Sequence, residues 1–330
     1  MRTVKRILGA RVTRVVAARL GQSVFVAVGV TFLTFSLLNM LPGSTAAVLL
    51  GEGATDADIH NLELKLHLDE PFMVRYGDWL AHAVVGNFGN SLSGNQPLSS
   101  ILGQRIPITL ELIVLAFALS LAFTIPVAML AAHKPGRLID KLSMSTSMIG
   151  LSVPAFVLAL LLILLFSVHW KVLPAVGYTP FSQDPLQNLR GMVLPSATLA
   201  FPLFCHYTRI LRADLVDQMA TGEFILAARA KGLAPFRILL KHALRNSSFG
   251  LVTLVGLNVG TMIGGTVLVE QIFAIPGIGQ ELLLSISNRD LVVVEAIVVM
   301  LAVAVVAVNL VTDLLYTIID PRVRTVQSNG

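Results

Sequence analysis

Residues 142–170 read LSMSTSMIGLSVPAFVLALLLILLFSVHW, and no charged side chain interrupts the chain between Lys141 and Lys171. A helix that crosses the hydrocarbon layer of a bilayer needs about 20 mostly apolar residues. The run therefore predicts a spanning helix over roughly 142–168, the cleanest in the chain. Five further apolar stretches meet the same requirement, over about 20–41, 108–132, 191–211, 249–270 and 291–317. The stretch at 191–211 is the weakest, because Pro195 and Pro202 interrupt it and Arg209 sits at its far end, so a kink is expected there.

Composition agrees with this reading. Of 330 residues, 55% are hydrophobic and 13% charged, with a mean hydropathy of +0.79. These values exclude an ordinary soluble domain and a disordered or low-complexity chain. One cysteine, Cys205, leaves no intramolecular disulfide framework and no multi-cysteine metal site. The net charge of +5 is not a nucleic-acid signal, because the basic residues lie at the ends of the apolar runs.

Their distribution sets an orientation. With the N-terminus cytoplasmic, 18 of the 24 lysines and arginines fall on the inner side and 6 on the outer. Basic loops are retained inside, so six spans with both termini cytoplasmic are expected. The chain then divides into a basic cytoplasmic N-terminus (1–19), the first transmembrane helix (20–41) and an extracytoplasmic loop (42–107). A transmembrane core (108–317) carrying a cytoplasmic loop at 212–248 follows, and a cytoplasmic tail (318–330) ends it. The first apolar run, Leu20 to Leu41, is too long for the h-region of a cleavable signal peptide. Within the outer loop, Thr55 to Leu66 predicts a short helix, with Thr55 as cap, Asp56 and Asp58 in its first turn, and Ile59, Leu62 and Leu66 on one face.

The loop at 212–248 is the most informative part of the chain. Helix-forming residues run from about Asp217 to Lys231, and Gly232 offers the left-handed conformation that ends a helix. Pro235 suits the first turn of a second helix through Arg237, Lys241, His242 and Arg245. Physics alone leaves two readings of this helix, turn and helix. One is an amphipathic hairpin whose Arg229, Lys231, Arg237 and Lys241 face anionic lipid. The other is a docking element for a cytoplasmic partner.

Ala227-Ala228 with Gly232, and in particular Ala228-Arg229-Ala230-Lys231-Gly232-Leu233 followed by His242-Ala243-Leu244-Arg245-Asn246, resembles the "EAA" loop of ATP-binding-cassette importer permeases of the oligopeptide and dipeptide subgroup. The strict pattern has glutamate at 226 and proline near 245, where this chain has Leu226 and Arg245. Other landmarks follow in the family's order. They include Leu41-Pro42-Gly43, Leu68-Asp69-Glu70-Pro71 with Tyr76 and Trp79, Phe88-Gly89 with Ser91, and Arg105-Ile106-Pro107 leading into Thr109-Leu110-Glu111-Leu112. Later ones are Gly264-Gly265, Glu270 with Phe273, Pro276-Gly277-Ile278-Gly279, Arg289-Asp290 and Asp320-Pro321-Arg322.

This resemblance to the oligopeptide, dipeptide and nickel transport family, and to its first permease type, implies an all-α polytopic membrane protein with the type I ABC importer permease fold. It also implies partners: a second homologous permease, two ABC ATPase subunits or one fused ATPase, an extracytoplasmic peptide-binding protein, and membrane lipid, but no nucleic acid. The site so implied is the ATPase-coupling loop of Ala227, Ala228, Arg229, Ala230, Lys231, Gly232, Leu233 and Pro235. ATP and Mg2+ belong to the partner subunits; this chain has no phosphate-binding Gly-x-x-x-x-Gly-Lys motif, and no cofactor, metal or catalytic residue is expected in it. Within the family the cargo ranges over dipeptides, oligopeptides, glutathione, nickel chelates and glycosides.

Embedded acids need a specific reason, because a charge at the centre of a bilayer costs about 2.5–3.5 kcal/mol even on insertion scales. Glu111, Glu270 and Glu295 fall toward the outer face and Asp313 toward the inner. The acids either pair with neighbours, Glu111 with Arg105 for example, or line an acidic outer vestibule that favours a peptide's ammonium end. Gly256, Gly260, Gly264 and Gly265 predict close helix approach, read as an interface between permeases. Histidines lack metal-ligand spacing, and adjacent Cys205 and His206 do not face each other on a helix, so both are read as packing. Two rival classes, a self-contained pore or secondary transporter and an intramembrane enzyme, call for a repeated broken helix or a catalytic pair at mid-membrane. The sequence displays neither.

Overall fold

The computed structural model describes residues 20–37, 55–65, 69–91, 94 and 96–319. The basic head (1–19), Asn39, the Leu41-Pro42-Gly43 landmark, Leu66, Leu68 and Asp320-Pro321-Arg322 lie outside the described residues. The described chain is helical, and its one β feature is an isolated bridge between Asn90 and Pro97. In chain order the helices are α1 (Leu20–Leu37), α2 (Asp56–Lys65), α3 (Phe72–Val84), α4 (Leu98–His133) and α5 (Leu138–Ser152). Then come α6 (Ala155–His169), α7 (Pro185–Thr221), α8 (Glu223–Ala230), α9 (Pro235–Phe273), α10 (Ile278–Ser287) and α11 (Leu291–Ile319). α6 ends in a π-helical stretch, Ile163–His169, and α9 contains another at Leu239–Ala243.

Four of these are long and apolar enough to cross a membrane: Leu20–Leu37, Leu98–His133, Pro235–Phe273 and Leu291–Thr312. A fifth span exists if α5 and α6 count as one. Here the reading of 142–168 as a single clean span is corrected, because α5 and α6 meet at 107°. The cause is local. A residue before proline is pushed out of the α region; Val153 is extended (φ −85°, ψ 122°), and Pro154 caps the next helix. Hydropathy alone is blind to that break.

The chain forms two compact units, Met1–Ile108 with Gly277–Leu310, and Thr109–Pro276 with Val311–Gly330. In the first, α1 and α3 meet through aromatic rings, with Phe32 and Phe35 edge-on to Phe72 and Tyr76 at 5.3–5.7 Å, and the Thr31 and Tyr76 hydroxyls bond at 2.9 Å. The expected cap on α2 is present: the Asp58 N–H donates to Thr55 Oγ1 at 3.2 Å, and the Thr55 hydroxyl donates to Asp58 Oδ2 at 2.6 Å. That bond holds the Asp58 carboxyl below the usual carboxylate range. Landmarks far apart in sequence meet in this unit. The Ser91 hydroxyl donates to the buried Asp290 at 2.6 Å, Arg105 pairs with Glu281 at 2.8 Å, and Phe88, Ile106 and Ile278 share one apolar cluster.

The second unit is organised around α7, which packs against α5, α6 and α9. Asp184 caps it, accepting from the Leu186 and Gln187 N–H groups at 3.0 Å, and Pro185 occupies its first turn. The helix continues through Pro195 and Pro202. Ser196, Thr198, Tyr207 and Thr208 are all buried on it. These residues dilute its apolar character, which is why α7 is absent from the spanning-length apolar helices.

The sequence places Gly256 in an expected interface between permeases. In the structure it serves an approach within the chain: a Cβ there would lie 2.6 Å from Thr312 Cγ2 and 2.9 Å from its hydroxyl. Gly256→Ala is expected to lower stability by about 1–3 kcal/mol through overpacking, seen as a reduced thermal midpoint in detergent. Adding Thr312→Ala should recover most of the loss.

Candidate functional site

The exposed hairpin between α7 and α9 is built from its turns. Helix formers extend past Asp217, yet the expected helix from 217 to 231 breaks at Gly222, whose N–H donates to Gln218 at 2.9 Å while its backbone turns extended (φ −65°, ψ 115°). α8 restarts at Glu223 and ends as the sequence predicts. Gly232 takes φ +76°, its N–H donates to the Arg229 carbonyl at 2.9 Å, and the Leu233 N–H reaches back to Ala228 at 3.3 Å. These two bonds are the Schellman closure of a helix C-terminus. Ala234 is extended, and Pro235 opens the next helix with the Ile238 N–H donating to Ala234 at 3.1 Å. That second arm does not stop within the loop; it runs through the π-helical Leu239–Ala243 into the apolar length of α9.

Burial divides the hairpin into two faces. Ile225, Ala228, Ile238, Leu239 and Ala243 are buried in one cluster with Leu211 and Leu215 of α7 and Ala128, Met129 and Ala132 of α4. Each isoleucine or leucine so buried contributes about 1.5–3 kcal/mol relative to exposure, so the hairpin is seated as a wedge. On the other face Arg229, Ala230, Lys231, Gly232, Ala234, Pro235, Phe236 and Arg237 are exposed. Phe236 is 45% exposed and meets the His133 ring edge-on at 5.6 Å, while Arg229 Nη2 donates to the Met219 carbonyl at 2.9 Å.

The predicted coupling residues therefore separate. Ala228 belongs to the inner face and Leu233 is half-buried, whereas Arg229, Ala230, Lys231, Gly232 and Pro235 form the outer turn. Ala227 lies in α8, and its side chain is outside the described set. Sequence reasoning missed Phe236, the largest apolar group the turn presents. Its place directly after Pro235, in the first turn of the second arm, was the available signal.

The three outer acids also separate. Glu111 does not pair with Arg105, which is held by Glu281; it accepts from the Tyr178 hydroxyl at 2.9 Å. Burial, and then the Glu111 carboxylate, push that phenol up to about 12. Glu270 is fully buried and accepts from Thr109 at 2.7 Å. Glu111 and Glu270 belong to one unit and Glu295 to the other. Among the described residues, no hydrogen-bond partner reaches Glu295 Oε1. Thr109 belongs to the Thr109-Leu110-Glu111-Leu112 landmark, whereas nothing in the sequence singles out Tyr178.

Comparison with known proteins decides the family. Residues 124–325 match the model of the binding-protein-dependent transport system inner membrane component, and residues 12–113 match that of its N-terminal part. The chain belongs to this inner-membrane transport family. It is 37% identical over 312 residues to a putative peptide transport system permease protein of Brucella abortus, covering 94% of this chain and 99% of that one. It is 35% identical to the oligopeptide transport system permease protein AppB of Bacillus subtilis, over 91% and 96% of the two chains. The dipeptide transport system permease protein DppB of Escherichia coli K12 is 33% identical, over 93% and 97%. The hairpin lies wholly within the longer family match.

Two outcomes are expected. A Cβ at Gly232 would meet nothing within 4 Å, so substitution there is penalised through φ alone. Asn should be tolerated best and Val worst, about 1–2 kcal/mol, with faster hydrogen exchange at the Gly232-position and Leu233 amides. Glu111→Gln should bring the Tyr178 titration down from about 12 toward the ordinary phenol value, followed by ultraviolet absorbance.

Proposed function

We propose that this chain is the transmembrane permease subunit of an ATP-binding-cassette importer, carrying peptides across the cytoplasmic membrane of a prokaryote by alternating access. The observation that carries this reading is the hairpin, an exposed turn of small and cationic residues clamped to a buried wedge that is continuous with α9. The three relatives named above are peptide, oligopeptide and dipeptide permeases by name, and the cargo assignment follows them.

In this reading α7 is a sixth span, tolerated in the membrane because protein covers its polar side chains. Both termini are cytoplasmic, the 42–107 segment is extracytoplasmic, and the 212–248 loop faces the cytoplasm, as the distribution of basic residues favours. A second homologous permease completes the pathway, two ABC ATPase subunits or one fused ATPase supply energy with their own ATP and Mg2+, and an extracytoplasmic binding protein delivers cargo. Glu111 and Glu270 are assigned to the outer end of the path, Glu270 through its bond with Thr109 rather than as an open carboxylate, and Glu295 to the outer end of α11.

The mechanism follows from where the hairpin is stiff. The exposed residues from Arg229 to Arg237 meet the ATPase; the buried ones take the load. Ile238 and Leu239 are fully buried on the same helix that continues into the membrane, so displacement of the turn cannot be absorbed by a flexible linker. It is passed to α9 and, through Leu211 and Leu215, to α7.

Affinity purification of the tagged chain in mild detergent should recover a second permease and ATPase subunits with peptide-stimulated ATPase activity. Gly232→Val should assemble and insert but lose that stimulation. A chain that purifies alone, under conditions that preserve known assemblies of this kind, contradicts the importer.

A further inference from the structure

α5 is joined near both of its ends to the middle of α7, although hydropathy treats the two as separate spans. Arg212 lies on α7 between the buried Leu211 and Leu215, directly before the hairpin. Its Nε donates to Asp140 Oδ1 at 2.8 Å and its Nη2 to Oδ2 at 2.6 Å. Asp140 opens α5 and is 4% exposed, and its Oδ2 also accepts the Gly136 N–H at 2.7 Å, so both carboxylate oxygens are used. The forked geometry fixes orientation as well as distance. Farther along, α5 and α7 touch again without slack. A Cβ at Gly150 would fall on the Cys205 sulfur and 2.7 Å from Phe201 Cε1, and the Cys205 thiol faces the Thr146 carbonyl at 3.7 Å. The contacts run in antiparallel order: 140 with 212, 146 with 205, and 150 with 201 and 205.

Beyond Ser152 the chain turns through 107° into α6, which packs on α7 and α9 through contacts of its own. The segment that joins α5 to α6 is a two-residue extended turn, Val153 and Pro154. A stiff pair thus ends at a joint. We infer that Asp140 and Arg212 clamp α5 to α7 so that the pair moves as one body with the hairpin, delivering its displacement to the bend at Val153–Pro154, where α6 re-orients. This rests on the importer reading and adds to it the output of the lever. Asp140 and Arg212 are positioning residues: they hold the helices and touch no cargo.

Gly136 explains the third bond of the clamp. Its φ of +80° turns the chain between α4 and α5 so that its amide points at Asp140. The carboxylate therefore holds the short α4–α5 connection as well as α7. Loss of the negative charge would leave Arg212, itself mostly buried, without its partner.

The test uses the whole complex, purified with its ATPases and reconstituted. Spin labels are placed at Leu142 and Asp217, exposed positions on α5 and α7, and in a second sample at Leu142 and Leu164, on the two sides of the bend; the buried Cys205 is retained and escapes labelling. Between the nucleotide-free and ATP-trapped states, the 142–217 distance should stay constant while the 142–164 distance shifts. Asp140→Asn should keep ATP hydrolysis but lower the substrate moved per ATP severalfold, with Asp140→Glu recovering part of it. That ratio does not depend on how much protein folds.

A 142–217 distance that changes with nucleotide overturns the clamp. A constant 142–164 distance in a transporting complex overturns the bend as its output. A ratio unchanged by Asp140→Asn overturns the role of the ion pair. Each of these leaves the importer standing, whereas absence of any ATPase partner removes the importer and the inference together.

Discussion

A helix carrying buried serine, threonine and tyrosine hydroxyls can cross a bilayer only if protein surrounds it. α7 meets that condition, and the larger unit depends on it. Ser196, Thr198, Tyr207 and Thr208 are hidden by the helices packed on α7, and the same packing creates the buried cluster in which the hairpin is seated. The long helices α4 and α9 carry apolar side chains on their exposed faces. Leu110, Val114 and Phe123 on α4 and Leu257 and Leu268 on α9 are all exposed, as expected where hydrocarbon replaces water as solvent.

The same enclosure decides how a local push becomes a movement of helices. A turn lying loosely on the surface would yield when displaced. This one is closed by the Schellman bonds around Gly232, tied by Arg229 to Met219, and backed by Ile225, Ala228, Ile238 and Leu239 against α7. Close-packed interiors transmit strain rather than absorb it. The second arm passes through a π-helical stretch at Leu239–Ala243 and continues without a break along the apolar length of α9.

Much of this was legible in the sequence, and what was not has physical reasons. Gly232, Pro235 and Thr55 announce their turns because backbone conformation at those positions is set by the residue itself. The ends of α11 and the helical run of α4 follow from apolar length alone. The bend at Val153–Pro154 was hidden inside the most convincing apolar run, since hydropathy averages over a proline. The Asp140–Arg212 pair, the Thr109–Glu270 bond and the Tyr178–Glu111 bond join residues 67 to 161 positions apart. No local pattern encodes such a pairing; only the fold brings the partners together. Ser91 and Asp290 are separate landmarks in the sequence, and the fold joins them in one buried hydrogen bond.

The most direct measurement is photo-crosslinking from the hairpin in native membranes. A photoreactive side chain at Phe236, on the exposed face of the turn, should join the chain to an ATP-binding-cassette ATPase and change in yield when ATP is trapped. The same group at Phe249, also exposed but on the apolar length of α9, should not capture it. Crosslinking from Phe236 to lipid alone, with no ATPase captured in either nucleotide state, would contradict the account and leave the hairpin as a lipid-facing element.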